Sequence, residues 1–217
     1  MSEDIAINIP PVIINGIINV PKKPKGIVLF SHGSGSSRFS KRNSFVAEIL
    51  NQNGFATFLL DLLTKEEDLI YENRFDIELL TQRLLSVTDW VKKQPELKEL
   101  PIGYFGASTG AASALKASAQ LGKTISAIVS RGGRPDLAES ILDKVQSPTL
   151  LIVGGKDYQV IDFNRHAFEK IISIKELVIV PNATHLFAEP GTLEKVAELS
   201  VKWFEKYLDT ANSSKAS

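Results

Sequence analysis

Residues 103–110 read Gly-Tyr-Phe-Gly-Ala-Ser-Thr-Gly, and they leave the chain few ways to run. An apolar, β-rich run at 102–105 enters this segment, and a run of mostly Ala and Ser at 111–121 leaves it, so a strand passes into a helix with almost no linker. A corner that sharp forces Ser108 into a sparsely populated backbone conformation, and the positions two before and two after it must carry almost no side chain. Gly106 and Gly110 occupy those positions. The small residues at 111–121 let the helix lie close beneath a sheet. Because Gly-x-Ser-x-Gly also arises by chance, the flanks carry the argument.

The rest of the chain repeats the alternation of short β-rich runs with longer stretches of helical period, which predicts an α/β fold. Residues 5–9 and 12–20 open it as antiparallel strands. Gly16 reads as a bulge in the second strand, with a tight turn at Asn15-Gly16 as the alternative. Further strands are expected at 27–30, 56–60, 102–105, 125–130, 149–153 and 177–180. Helices are expected at about 43–53, 75–94, 111–121, 137–144, 163–171 and 193–208. Gly54 supplies a left-handed helix end, and Pro95 stops the helix before it. Residues 62–74 are acidic and read as irregular, the one stretch able to serve as a lid. The expected sheet has about eight mostly parallel strands covered by helices on both faces. Ser108 would lie at the carboxyl end of a central strand, where open α/β sheets place ligands.

The 217 residues are 43% hydrophobic and 23% charged, an ordinary globular composition read as one domain over 1–209 with a polar tail at 210–217. Lys plus Arg and Asp plus Glu balance at 25 each, so no net field favours nucleic acid or an anionic membrane. The absence of cysteine excludes disulfides, thiolate catalysis and a thiolate zinc site. The N-terminus has no signal-peptide character and no stretch reaches about 18 uninterrupted apolar residues, so a cytoplasmic location is expected. No metal or cofactor is called for, and the oligomeric state stays open.

A serine hydroxyl needs an imidazole to take its proton, and the imidazole needs a carboxylate to hold its tautomer. The chain has three histidines. His185 follows the last strand on a loop free to reach back over the sheet, and is the candidate base. His166 falls within a surface helix and reads as incidental. His32 precedes a loop rich in Gly and Ser and is placed there to orient the loop or, with Gly33, to meet substrate. Asp157 follows the 149–153 strand and gives the order Ser, Asp, His. Asp136 and Asp61 compete from other strand ends, the first also as a helix cap and the second as a loop organiser. Oxyanion donors are expected from the backbone N–H groups of Thr109 and Ser34, with Gly33 and Gly35 permitting close approach.

These residues resemble the α/β-hydrolase superfamily: His32-Gly33, Gly106-Ala107-Ser108-Thr109-Gly110, Gly155-Lys156-Asp157 and Thr184-His185. The runs from Ser31 to Arg38 and from Ser130 to Asp136 are most similar to small members without a cap domain, of the dienelactone hydrolase type. The resemblance spans about residues 5–208 and implies an α/β-hydrolase fold acting on a small ester or lactone, with no nucleic-acid or membrane partner. The hydrolases that name the family use cysteine as nucleophile, whereas position 108 is serine, which points toward ordinary carboxylic esters. Arg131 and Arg134, on the loop after the strand that follows the helix, are candidate clamps for a carboxylate or phosphate, as are Arg38 and Arg42. Surface ion pairs are the plainer reading of those arginines. Non-catalytic binding on the same fold and acyl transfer to another acceptor remain the alternative functions.

Overall fold

The computed structural model describes residues 2–208; the expected tail at 210–217 lies outside them. Eight strands form one sheet: β1 (Ser2–Ile9), β2 (Val12–Asn19), β3 (Ile27–Ser31), β4 (Ala56–Leu60), β5 (Ile102–Ala107), β6 (Ile125–Arg131), β7 (Thr149–Gly154) and β8 (Lys175–Val180). Their spatial order is β1-β2-β4-β3-β5-β6-β7-β8. β1 and β2 pair antiparallel, as do β2 and β4, and every later pairing is parallel. All residues of β3, β4, β5 and β7 are buried, as parallel strands covered on both faces must be, while the edge strand β1 is largely exposed.

Helices α1 (Lys41–Gln52) and α6 (Thr192–Leu208) pack together on one face, with Val46, Leu50, Val196 and Phe204 in their shared core. On the other face α3 (Ile77–Val91), α4 (Thr109–Leu121) and α5 (Tyr158–Lys170) cover the core that holds Leu84, Leu115 and Ala167. No helix among the described residues is long and apolar enough to cross a membrane.

Four expectations need correction. Gly16 is not a bulge: β2 runs unbroken, with Gly16 in regular register with Ile5 and Leu60. A Cβ there would collide with the Phe58 ring, so the glycine makes room for a neighbouring strand's aromatic group. The hairpin turn instead lies at Pro10-Pro11. The segment 62–74 is not irregular, because it contains a short helix, α2 (Lys65–Asp68), and a 3-10 helix at Tyr71–Phe75. Thr64 and Glu67 form a reciprocal capping box, and Arg83 holds Glu67 at 2.6 Å. The expected helix at 137–144 is a 3-10 helix, Pro135–Lys144, broken at Ala138. Asp136 caps nothing by its side chain; its carboxylate grips Arg134.

Candidate active site

The strand-to-helix corner has the geometry its glycines imply. Ser108 sits at φ 52°, ψ −123°, a conformation costing a non-glycine residue on the order of 1–3 kcal/mol. A Cβ on Gly106 would strike the Ala111 backbone, and one on Gly110 would strike the carbonyl of Ser31. The corner is over-determined by its surroundings. Ser108 N–H donates to the Arg131 carbonyl at 3.2 Å, and the Ser108 carbonyl accepts from Ala111 and Arg134. Below it the Ser31 and Ser113 hydroxyls meet at 2.8 Å, tying α4 to β3. Thr109 opens α4, so its N–H has no acceptor within the helix.

The loop at 32–37 is folded over this corner by His32. The imidazole is buried; its Nε2 accepts from the Leu62 N–H at 3.0 Å, and Nδ1–H donates to the Gly33 carbonyl at 2.9 Å. Burial is the largest cause holding the His32 pKa below 6.5, in keeping with a neutral ring that both accepts and donates. Neither nitrogen is left for substrate, so the expectation that His32 contacts substrate gives way to its loop-orienting role. Gly33 lies so near that a Cβ on it would sit 3.0 Å from Ser108 Cβ, and Ser34 follows at the cavity wall.

Two further strand ends bring in the carboxylate and the imidazole. The turn after β7 and the loop after β8 are locked by backbone bonds, Gly155 N–H to the Val180 carbonyl at 2.8 Å and Lys156 N–H to the Ala183 carbonyl at 2.9 Å. Asp157 stands at the start of α5 without capping it, and its Oδ2 lies 2.6 Å from His185 Nδ1. That bond fixes the tautomer and leaves Nε2 for other work. The His185 ring rests over Gly132, where a Cβ would come within 3.5 Å of it. Ser108, His185, Gly33, Ser34, Arg42 and Arg131 all face one cavity of about 220 Å³. Ser108 and His185 share it without a hydrogen bond between them, a spacing common in unliganded sites.

The remaining candidates are placed elsewhere. Arg134 is held bidentately by Asp136, at 2.9 and 2.7 Å, and stacks over Phe163, away from the lining of the Ser108 cavity; this is the ion pair that was the plainer reading of this arginine. Asp61 accepts from the Arg38 backbone N–H at 2.8 Å and pairs with its guanidinium, fastening the loop after β3. His166 is exposed against Glu139. Arg131 is 4% exposed and reaches only the Asn43 amide oxygen, at 3.4 Å. Asn43 had no distinguishing mark in the sequence. A larger cavity of about 860 Å³ is lined by His32, Arg38, Asp61 and residues of β2 and α2; Ser108 is not part of its lining, though Ser36 borders both cavities. No group of three or more His, Asp or Glu able to hold a metal occurs among the described residues.

Comparison with known proteins places this architecture. The chain is 54% identical over 206 residues to a protein of Mycobacterium tuberculosis provisionally named a phosphoribosyl transferase, covering 95% of this chain but 46% of that one. It thus spans about half the length of the curated relatives it matches. The structure superposes on that of a dienelactone hydrolase from Anabaena variabilis with a TM-score of 0.93 and 51% identity, over 96% of this chain and 98% of the other. Est1E of Butyrivibrio proteoclasticus shares the fold at 18% identity, with a TM-score of 0.81 over 94% and 98% of the two chains. The profile of the Dienelactone hydrolase family matches residues 14–212. With its eight-stranded sheet and this match, the chain has the α/β-hydrolase fold and belongs to the dienelactone hydrolase family.

Proposed function

We propose that the chain is a serine hydrolase that cleaves a small carboxylic ester or lactone through an acyl-enzyme. The observation that carries this reading is the 2.6 Å contact between His185 and Asp157 at the rim of the cavity faced by the strained Ser108. Ser108 Oγ attacks the acyl carbonyl while His185 Nε2 takes its proton, and Asp157 stabilises the imidazolium. The N–H groups of Thr109 and Ser34 receive the oxyanion. The imidazolium then protonates the leaving alkoxide. Water, deprotonated by the same nitrogen, releases the acyl group. Hydrolysis, and not phosphoribosyl transfer, is carried to this chain, because the match spans nearly all of this chain, the Ser108 segment included, while the transferase name belongs to a protein about twice as long.

Ser108→Ala tests the reading. Turnover of an aryl acetate should fall at least about a thousandfold, and labelling by a fluorophosphonate should vanish, with the thermal unfolding transition retained. Undiminished turnover or labelling in the variant would overturn it.

A further inference from the structure

We propose that the cavity at Ser108 contains a dianion subsite built from the Arg131 and Arg42 guanidinium groups and the first turn of α1, and that the ester cleaved there carries a phosphate monoester. The proposal rests on the preceding section for which bond is cut; the anion site stands on separate observations.

Arg38, Arg74, Arg83 and Arg134 each hold a carboxylate. Among the described residues Arg131 and Arg42 hold none; the Nε of each, like those of Arg38 and Arg83, is sealed from solvent and without an acceptor, so the missing carboxylate is what sets the two apart. Arg131 ends β6 beside Ala107 and so flanks Ser108. Its remaining company is Asn43 and, 5.8 Å away, the Phe187 ring. Burial first, and the Arg42 charge second, pull its pKa down to about 10, so Arg131 still carries its charge at neutral pH. Buried charges are normally paired, and a pair of like charges facing one cavity invites an anion.

The helix beside them adds to the field. Ser40 caps α1 and satisfies the Asn43 N–H, so the N–H groups of Lys41 and Arg42 remain as the open positive end of a twelve-residue helix. The Ser36 and Ser40 side chains line the same wall. A single carboxylate would neutralise one guanidinium. A phosphate monoester carries roughly −1.5 to −2 at neutral pH and offers three oxygens, enough for two forks and a helix end. In the reaction the acyl C–O bond breaks, hydroxide from water joins the acyl carbon, its proton joins the leaving oxygen, and the phosphate leaves unchanged.

Isothermal titration of the full chain with inorganic phosphate tests the site apart from the chemistry. Phosphate should bind wild type and Ser108→Ala with dissociation constants within about threefold of each other, and should weaken at least about tenfold in Arg42→Gln and in Arg131→Met. Without phosphate, Arg131→Met should unfold at a higher temperature than wild type, since it removes a buried charge that has no counter-ion. Absence of phosphate binding, binding unaffected by Arg42→Gln, or tighter binding of malonate than of phosphate overturns the proposal. In turnover, wild type should prefer 4-nitrophenyl 3-phosphonopropanoate over 4-nitrophenyl butanoate, and Arg42→Gln should lose at least about tenfold of that preference. If neither ester is turned over while phosphate still binds through Arg42, the reading of Ser108 fails and the anion site stands.

Discussion

The carboxyl edge of the sheet has two ends made from the same residue types and finished differently. Over β3 and β4, His32 spends both ring nitrogens on backbone, Asp61 holds Arg38, Glu67 serves both a helix cap and Arg83, and Asp68 clamps Arg74. Over β5 to β8, His185 has one nitrogen engaged and one available, Ser108 is held in strain, and Arg131, with Arg42 of α1 at the same cavity, has no carboxylate. At the first end each of these side chains has a protein partner, although the Nε atoms of Arg38 and Arg83 are buried without an acceptor. The second keeps polar capacity unused, which is what a site needs in order to bind something.

The sharpest way to break that contrast is at the second end. Asp157→Asn should lower aryl ester turnover by on the order of 10²- to 10⁴-fold, because it removes the charge that favours the imidazolium, while circular dichroism stays native. A loss under about threefold would leave Asp157 a structural partner only.

At the first end the expected effect is on stability. His32→Ala strands the Leu62 N–H and should cost about 1–3 kcal/mol in urea unfolding. It should also alter the pH profile. Because burial keeps the folded pKa of His32 below 6.5, the unfolded chain takes up the proton first as pH falls. The stability His32 contributes is thus complete above about pH 6.5 and is lost below it, at up to about 1.4 kcal/mol per pH unit. Unfolding at about pH 7.5 and about pH 5.5 should show that decline in wild type and a shallower one in the variant.

The smallest effect is expected from Arg134→Gln. Its partly exposed pair with Asp136 should be worth about 1 kcal/mol or less, and ester turnover should change less than about threefold. A loss of about tenfold or more would return Arg134 to the substrate.

What was legible in the sequence follows from whether a local pattern or a distant neighbour decides the outcome. The strand, turn and helix around Ser108 could be read because Gly106, Gly110 and the small residues of α4 are each required within the segment itself. The Asp157–His185 contact could be read from its strand-end positions and chain order. The Thr64–Glu67 capping box was in plain view as Thr-x-x-Glu, yet its acidic composition drew the reading toward an irregular stretch. Gly16 was misread because its cause, the Phe58 ring, lies on another strand. Arg134 and Arg131 look alike in sequence; Asp136, two positions on, takes up the first, and only the fold buries the second without a carboxylate.

His185 stands on the loop that follows β8, the final strand, which is bonded to the sheet along one side only, and α6 closes the opposite layer after it. During synthesis, the residues of the Ser108 corner therefore emerge well before His185. On the reading of Ser108 and His185 proposed above, a nascent chain would carry an inert serine until β8 docks onto β7, so the appearance of activity would time that docking.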